Sequence, residues 1–291
     1  MEFKSTGSRI ALFLMLLGIN VIIFSTFAGV TANTLFGTSD LSSTSAFRYI
    51  NCITAIGVFG LTAYGFAFFV NDKKPLPYLQ LNKRVNVHIC LILLLTYTVS
   101  LPFLSWIITW NEGMKLPEFM SSIESWMRIN EVKHTEITAR LLSGTEVDIL
   151  LLNLLTIGLV PAICEELLFR GALLQWFKDT FKNIHVATLL SAIIFSAIHL
   201  QFFGFFPRML MGIYLAYLCV WTGSIWSSII AHFINNIIIV IAAYLYNTKI
   251  IDTDYKDFGN AGDNYIIIFL SIVLTSICVY LVYRKREMLN G

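Results

Sequence analysis

Long apolar stretches alternate with short polar ones along the whole chain. Residues 10–33, 47–70, 87–109, 147–178, 185–204, 207–222, 225–246 and 264–283 form eight such stretches, and roughly 20 mostly apolar residues let a helix cross the hydrocarbon core of a bilayer. The pattern predicts an all-α, polytopic membrane helix bundle of about eight transmembrane helices, one membrane domain over residues 1–291. The fourth stretch is too long for a plain span. Pro161 within it has no backbone N–H to give, which predicts a kink there, with the helix running on through Leu167–Lys178 toward the surface. The first stretch follows Lys4 and Arg9, and its Val30-Thr31-Ala32 resembles a cleavage site, but the apolar run is longer than a signal sequence needs and is read as a retained span.

Short loops rich in lysine and arginine tend to stay cytoplasmic. An N-in, C-in arrangement puts 12 of the 20 basic residues on or toward that side, among them Lys4, Arg9, Lys73, Lys74, Lys83, Arg84, Lys178, Lys182 and Arg286. Segment 110–146 then lies outside. It carries Phe119, Ile123, Trp126, Met127, Ile137 and Leu141 at roughly helical spacing among six glutamates and four basic residues, which predicts an external, interfacial amphipathic helix. Its plain role is a cap packed on the bundle, with substrate gating as the sharper alternative.

Composition agrees with a membrane location: 57% of the chain is hydrophobic and 13% charged, and the net charge of +2 is too small for a nucleic-acid partner. The five cysteines lie in or beside apolar stretches without CxxC spacing and receive no chemical role. No internal repeat is present, which argues against a transporter built on duplicated halves.

An ionisable side chain inside a bilayer costs several kcal/mol or more, so it marks a functional site or a paired contact. Away from the span ends, where Asp148 and Arg208 lie, the spans contain Glu165, Glu166, Arg170, His199 and His232, with the polar Asn235 and Asn236. Glu165 and His199 are each 17 residues from Lys182 in the turn between two antiparallel spans, so they sit at similar depth. His232 and Asn236 share one face of the seventh span near the same level. Glu166 and Arg170, spaced i,i+4, are suited to neutralise one another in support of the site.

Three motifs emerge: Glu165-Glu166-Leu-Leu-Phe-Arg170, Phe195-Ser-Ala-Ile-His199 and His232-Phe-Ile-Asn-Asn236. In this order, on successive spans, with Arg170-Gly171 and Thr222-Gly-Ser-Ile-Trp226 between them, they resemble the CAAX-processing and bacteriocin-processing (CPBP, or Abi) membrane proteases, which include the type II CAAX prenyl endopeptidases. The resemblance covers about residues 150–240, and residues 147–246 are the expected catalytic core. It implies an intramembrane endopeptidase acting on membrane-associated peptides or proteins, with CAAX-type prenylated chains as one class and unprenylated ones left open. Glu165 would be the general base on a water that His199 helps to hold, and His232 and Asn236 would donate to the oxyanion. That mechanism requires no cofactor. The alternative keeps the same residue types but lets Glu165, His199 and His232 bind a zinc ion, although no HExxH is present. A serine or cysteine triad is not apparent.

The site is expected in the cell membrane, opening toward the cytoplasmic side. The sequence ends Met288-Leu-Asn-Gly291, so the expected substrate is another chain. Two other functions compete: a non-catalytic immunity or scaffold protein whose polar cluster braces the bundle, and a proton-coupled transporter in which the same side chains relay protons.

Overall fold

The computed structural model describes Phe3, residues 5–37 and residues 43–289, with side chains to residue 285. Lys4 and the side chain of Arg286, assigned above to the cytoplasmic side, lie outside the described residues. All regular structure among the described residues is helical. We number the main helices α1 (Thr6–Phe36), α2 (Thr44–Val70), α3 (Val87–Glu112), α4 (Ser121–Leu142), α5 (Val147–Phe181), α6 (Ile184–Ala197), α7 (Phe202–Thr222), α8 (Ile225–Asn247) and α9 (Tyr265–Leu289).

Seven of these, all but α4 and α6, are long and apolar enough to cross a membrane. The remaining expected stretch, residues 185–204, forms the shorter apolar helix α6. Its 14 residues rise about 21 Å, short of the roughly 30 Å hydrocarbon core. The apolar sequence continues to residue 206, but the helix does not, because Leu200 takes a left-handed backbone (φ 54°) and Phe202–Gly204 form a single 3-10 turn into α7. Asn111, buried at the end of α3, fixes this junction: its Oδ1 accepts from the Phe206 N–H (3.0 Å) and its Nδ2 donates to the Phe202 carbonyl (3.4 Å).

Breaks in the helical ladder are repaired by side chains from neighbouring helices. Pro102 interrupts α3, and Ser271 of α9 bridges the gap, accepting from the Phe103 N–H (3.2 Å) and donating to the Val99 carbonyl (2.6 Å). Near the site, Gly212 lets α7 approach α6 closely: a side chain there would press on Ala192 and Phe195. The core between α1, α2, α5 and α6 packs Phe13, Phe66, Phe169, Trp176 and Phe195 together.

The bundle has two distinct ends. One gathers Arg9, which pairs with Asp179 at 3.3 Å, the loop from Lys73 to Arg84, the α5–α6 turn at Lys182, and the α7–α8 turn. In that last turn Gly223 adopts a left-handed conformation (φ 62°), and Ser224 caps α8 while donating to the Lys83 carbonyl at 2.6 Å. The other end carries α4 and the loop between α8 and α9.

Segment 110–146 does hold a long helix, and its apolar positions divide between surface and bundle: Phe119, Ile123, Ile129 and Val132 are exposed, Phe119 at 86%, Met127 and Ile137 are half-buried, and the Trp126 ring meets Phe202 at 5.8 Å. Leu141 and Leu142 are buried at the C-terminal end. That end is clamped by Arg48 of α2, which is 5% exposed and donates to the Leu141 carbonyl (2.6 Å) and to Asn153 Oδ1 (3.0 Å).

Candidate active site

The fourth stretch is one continuous path of 35 residues, but not one regular α-helix. Leu154–Leu159 and Leu167–Leu173 are π-helical, one on each side of Pro161 and the double glutamate. A π turn holds an extra residue, so it changes the direction of the side chains that follow, and such turns often occur at functional sites. The kink expected at Pro161 therefore takes the form of local π geometry next to the proline.

Glu165 and Glu166 are consecutive, and they point to different surroundings. Glu166 and Arg170 are each 0% exposed and pair at 2.7 Å. Arg170 also donates to the Gly212 carbonyl at 3.0 Å, which ties α5 to α7 at the point where glycine permits close approach. His232 Nδ1 lies 2.9 Å from the same oxygen of Glu166 that Arg170 engages. An ionised carboxylate can only accept, so Nδ1 carries the proton and the imidazole is oriented by Glu166. Its Nε2 faces Glu165 Oε2 at 4.0 Å, too long for a hydrogen bond. Glu165 is 13% exposed and opens on a hollow of about 440 Å³.

His199 stands just beyond the end of α6, where the backbone turns. Its Nδ1 donates to the Phe195 carbonyl at 2.8 Å, which leaves the Nε2 lone pair free to accept. Phe195, 0% exposed, is the hub of the site: its ring meets His199 edge-on at 5.2 Å and His232 at 5.9 Å, and the Arg170 guanidinium lies 4.6 Å from its centre. The phenylalanine of the second motif thus sets the position of three polar side chains through their faces and edges. Ser196 turns elsewhere and donates to the Phe205 carbonyl at 2.7 Å.

Asn236 lies one turn beyond His232 on α8. Its Nδ2 donates to the Ile157 carbonyl at 3.2 Å, and its Oδ1 accepts from Asn235 at 3.2 Å. Ile157 is the residue four positions before Pro161, so its carbonyl is the one that the proline cannot serve. Gly158 brings α5 and α8 together here, since a side chain would press on Ile237 and Phe233. The structure thus brings together Glu165, Glu166, Arg170 and His232, sets His199 beside them through Phe195, and gives one amide hydrogen of Asn236 to the backbone.

Three hollows lie under α4. Thr138 of α4 lines both the one reached by Glu165 and a second of about 430 Å³ with Glu112 and Asp257. A third, of about 310 Å³, shares Glu112 with the second and is lined by Glu131 of α4, Asn235 and Arg208. Setting Arg208 aside as a span-end residue misses its position in this wall, and the apolar reading of α4 misses that Glu131 and Thr138 face inward. All three lie at the α4 end of the bundle, opposite the end with Lys83, Lys178 and Lys182, whereas the sequence reading opens the site toward that basic end. At the N-terminal end of α4, outside the spans, the Leu116 N–H and then the Arg128 guanidinium hold the Glu124 carboxyl below its ordinary range.

As a zinc site the residues fit poorly. Among the described residues no three His, Cys, Asp or Glu side chains are grouped to hold a metal. His232 has one ring nitrogen committed to Glu166 and the other 4.0 Å from Glu165.

The fold and the site together define a polytopic membrane protein with a buried carboxylate, imidazole and guanidinium centre that is open along one side. Residues 147–238, about a third of the chain, match the family model described as type II CAAX prenyl endopeptidase Rce1-like. All three motifs fall within this stretch. No curated protein and no solved structure matches the chain.

Proposed function

We propose that this chain is an intramembrane endopeptidase that hydrolyses peptide bonds of membrane-associated, CAAX-type substrates with a glutamate-activated water. The observation that carries the reading is the divergence of the two glutamates. Glu166 Oε1 is held by both Arg170 and His232, its Oε2 being buried without a partner, while Glu165 has no such contact and reaches a hollow. A carboxylate held next to a cavity, with its neighbour already neutralised, is placed for proton transfer rather than for bracing.

In the reaction, water donates one proton to Glu165 as its oxygen bonds to the scissile carbonyl carbon. The His199 Nε2 lone pair accepts the other O–H and fixes the angle of attack. The carbonyl π electrons move onto oxygen, and the His232 ring, with Nδ1–H held by Glu166 and a second proton on Nε2, donates its Nε2–H to that oxyanion. The 4.0 Å gap to Glu165 leaves this N–H unengaged in the resting site. Glu165 then passes its proton to the leaving nitrogen as the C–N bond breaks, which restores the carboxylate. Asn236 holds the π segment in register, and its second amide hydrogen is available to the oxyanion.

The basic residues at one end support an N-in, C-in arrangement. With the hollows at the other, we infer that substrate enters on the non-cytoplasmic side. Labelling of a cysteine introduced at Thr138 by a membrane-impermeant reagent in intact cells supports this side, and protection until the cells are opened reverses it.

The test of function compares wild type with Glu165→Ala, expressed at equal levels in the native host, by mass spectrometry of membrane-proteome termini. New termini that require Glu165 establish proteolysis and name a substrate. Identical proteomes with a preserved phenotype favour a scaffold or immunity role instead.

A further inference from the structure

The mechanism uses Asn236 and leaves its neighbour Asn235 without a task, although the two amides are joined. Their directions follow from what each group can donate or accept. Pro161 has no N–H, so the Ile157 carbonyl takes its donor from Asn236, and a carbonyl only accepts. Nδ2 of Asn236 therefore faces Ile157, and its Oδ1 is turned away from that carbonyl. Asn235 meets this oxygen with its own Nδ2 at 3.2 Å. Pro161, Ile157, Asn236 and Asn235 thus form a chain in which each member sets the direction of the next.

A planar amide held by one hydrogen bond can swing about it. The Asn236 amide is held at nitrogen by Ile157 and at oxygen by Asn235. Its plane is then fixed, and so is the direction of its second Nδ2–H, the hydrogen offered to the oxyanion. The donor on Oδ1 also polarises the amide and strengthens that N–H. Successive residues of a helix point about 100° apart, so Asn235 reaches Asn236 from the side and lies on the wall of the hollow that Arg208 and Glu131 line. Shortening Asn235 therefore enlarges an existing space and does not open a void in the packed core.

We propose that Asn235 is a positioning residue for the oxyanion site: it sets the plane of the Asn236 amide and thereby aims the remaining N–H at the reacting carbonyl. The inference rests on the endopeptidase reading and goes beyond it. Asn235 has no role at the water or at the scissile bond and acts through Asn236 alone.

The experiment uses an internally quenched peptide with an S-farnesylated cysteine followed by three apolar residues, cleaved in a single turnover by excess enzyme. The rate constant at saturating enzyme is independent of how much of the preparation is folded. Asn235→Ala is expected to lower it by about tenfold, less than the loss of a whole oxyanion donor, with half-saturation unchanged within about twofold because the contact is made only in the transition state. In the Asn236→Ala background the same change is expected to have an effect within about twofold. Asn235→Asp keeps the shape but puts an acceptor against Oδ1, and is expected to lose at least as much as Asn235→Ala. A wild-type rate constant in Asn235→Ala or Asn235→Asp, or an equal loss with and without Asn236, overturns the proposal.

Exchange of the Asn236 side-chain amide hydrogens, followed by NMR in asparagine-labelled protein and assigned by their absence in Asn236→Ala, separates the two readings. These hydrogens are expected to exchange faster in Asn235→Ala. Faster exchange in a protein whose wild type cleaves no peptide keeps the positioning and removes the protease. Cleavage with a rate constant indifferent to Asn235 does the reverse, and unchanged exchange without cleavage removes both.

Discussion

The two walls of the site are built on opposite principles, although consecutive glutamates belong to them. The wall around Glu166 is closed. Arg170, His232 and the Gly212 carbonyl meet there without exposed surface, and the charges are neutralised within the protein. The wall from Glu165 to Arg208 and Glu131 is open, with charged groups that face hollows and do not pair. The closed wall fixes geometry at a cost in desolvation that pairing at Glu166 Oε1 offsets in part, Glu166 Oε2 and Arg170 Nε being buried without partners, and the open wall keeps its charges for a substrate. If so, substitutions on the closed wall should damage the fold first, and those on the open wall should damage the chemistry alone.

The largest effect is expected from Arg170→Met. It leaves Glu166 as a buried, partly compensated carboxylate and the Gly212 carbonyl without its donor, a loss of about 3–5 kcal/mol, comparable with the whole stability of many domains. Thermal unfolding in detergent should show a much lower midpoint. Glu166→Gln together with Arg170→Met removes both charges and should recover part of the loss. A single mutant as stable as wild type would mean that the closed wall is not structural.

Next comes Glu165→Gln, where the comparison predicts the opposite split. The melting midpoint should stay with wild type, because the side chain faces a hollow and has no committed partner. Hydrolysis should fall by about 10²–10⁴-fold, the usual contribution of a general base. Retained turnover of the farnesylated peptide would move the base elsewhere.

Asn236 tests a residue claimed by both walls. Asn236→Ala should destabilise by about 1–3 kcal/mol, since the Ile157 carbonyl loses its donor inside the membrane. Pro161→Ala restores an N–H four residues after Ile157. In that background the stability cost of Asn236→Ala should nearly vanish. Any loss of kcat that persists in the double mutant then measures the work of Asn236 on the oxyanion, separated from its work on the backbone.

The closed wall was largely legible in the sequence and the open wall was not, for a physical reason. A carboxylate and an arginine four residues apart in an apolar run must pair, so Glu166 and Arg170 identify each other. His232 is drawn to them because few other polar groups lie at that depth. The open wall is built from residues whose direction depends on packing. Arg208 reads as a span end only if α7 begins near residue 207, and the 3-10 turn at Phe202–Gly204 moves that boundary. An apolar stripe on α4 does not say whether it meets protein or lipid, and here it is divided, Ile123 being exposed and Leu141 buried. The π segments also left no local signature, since Pro161 announces a break but not its form.

The smallest expected effect concerns how firmly α4 is seated over the open wall. Glu124 accepts from the Leu116 N–H at 2.9 Å and pairs with Arg128 at 2.7 Å, closing the N-terminal end of α4, while Arg48 holds the other end from within the core. The backbone N–H, and then Arg128, lower the Glu124 carboxyl in the folded protein. The unfolded segment therefore binds the proton more tightly, and folding of this end gains stability as pH rises. The contribution is complete above the ordinary glutamate value near 4.3 and is lost as pH falls through the lower folded value. Protection of residues 114–128 from hydrogen exchange, taken against the intrinsic rate at each pH, should fall below about pH 4 in wild type, and the Glu124→Gln protein should show that lower protection at every pH. Exchange around Leu141, held by Arg48 and Asn153, should not respond. If both ends of α4 loosen together, the helix is a single unit over the hollows, and the open wall is less independent of the closed one than the packing implies.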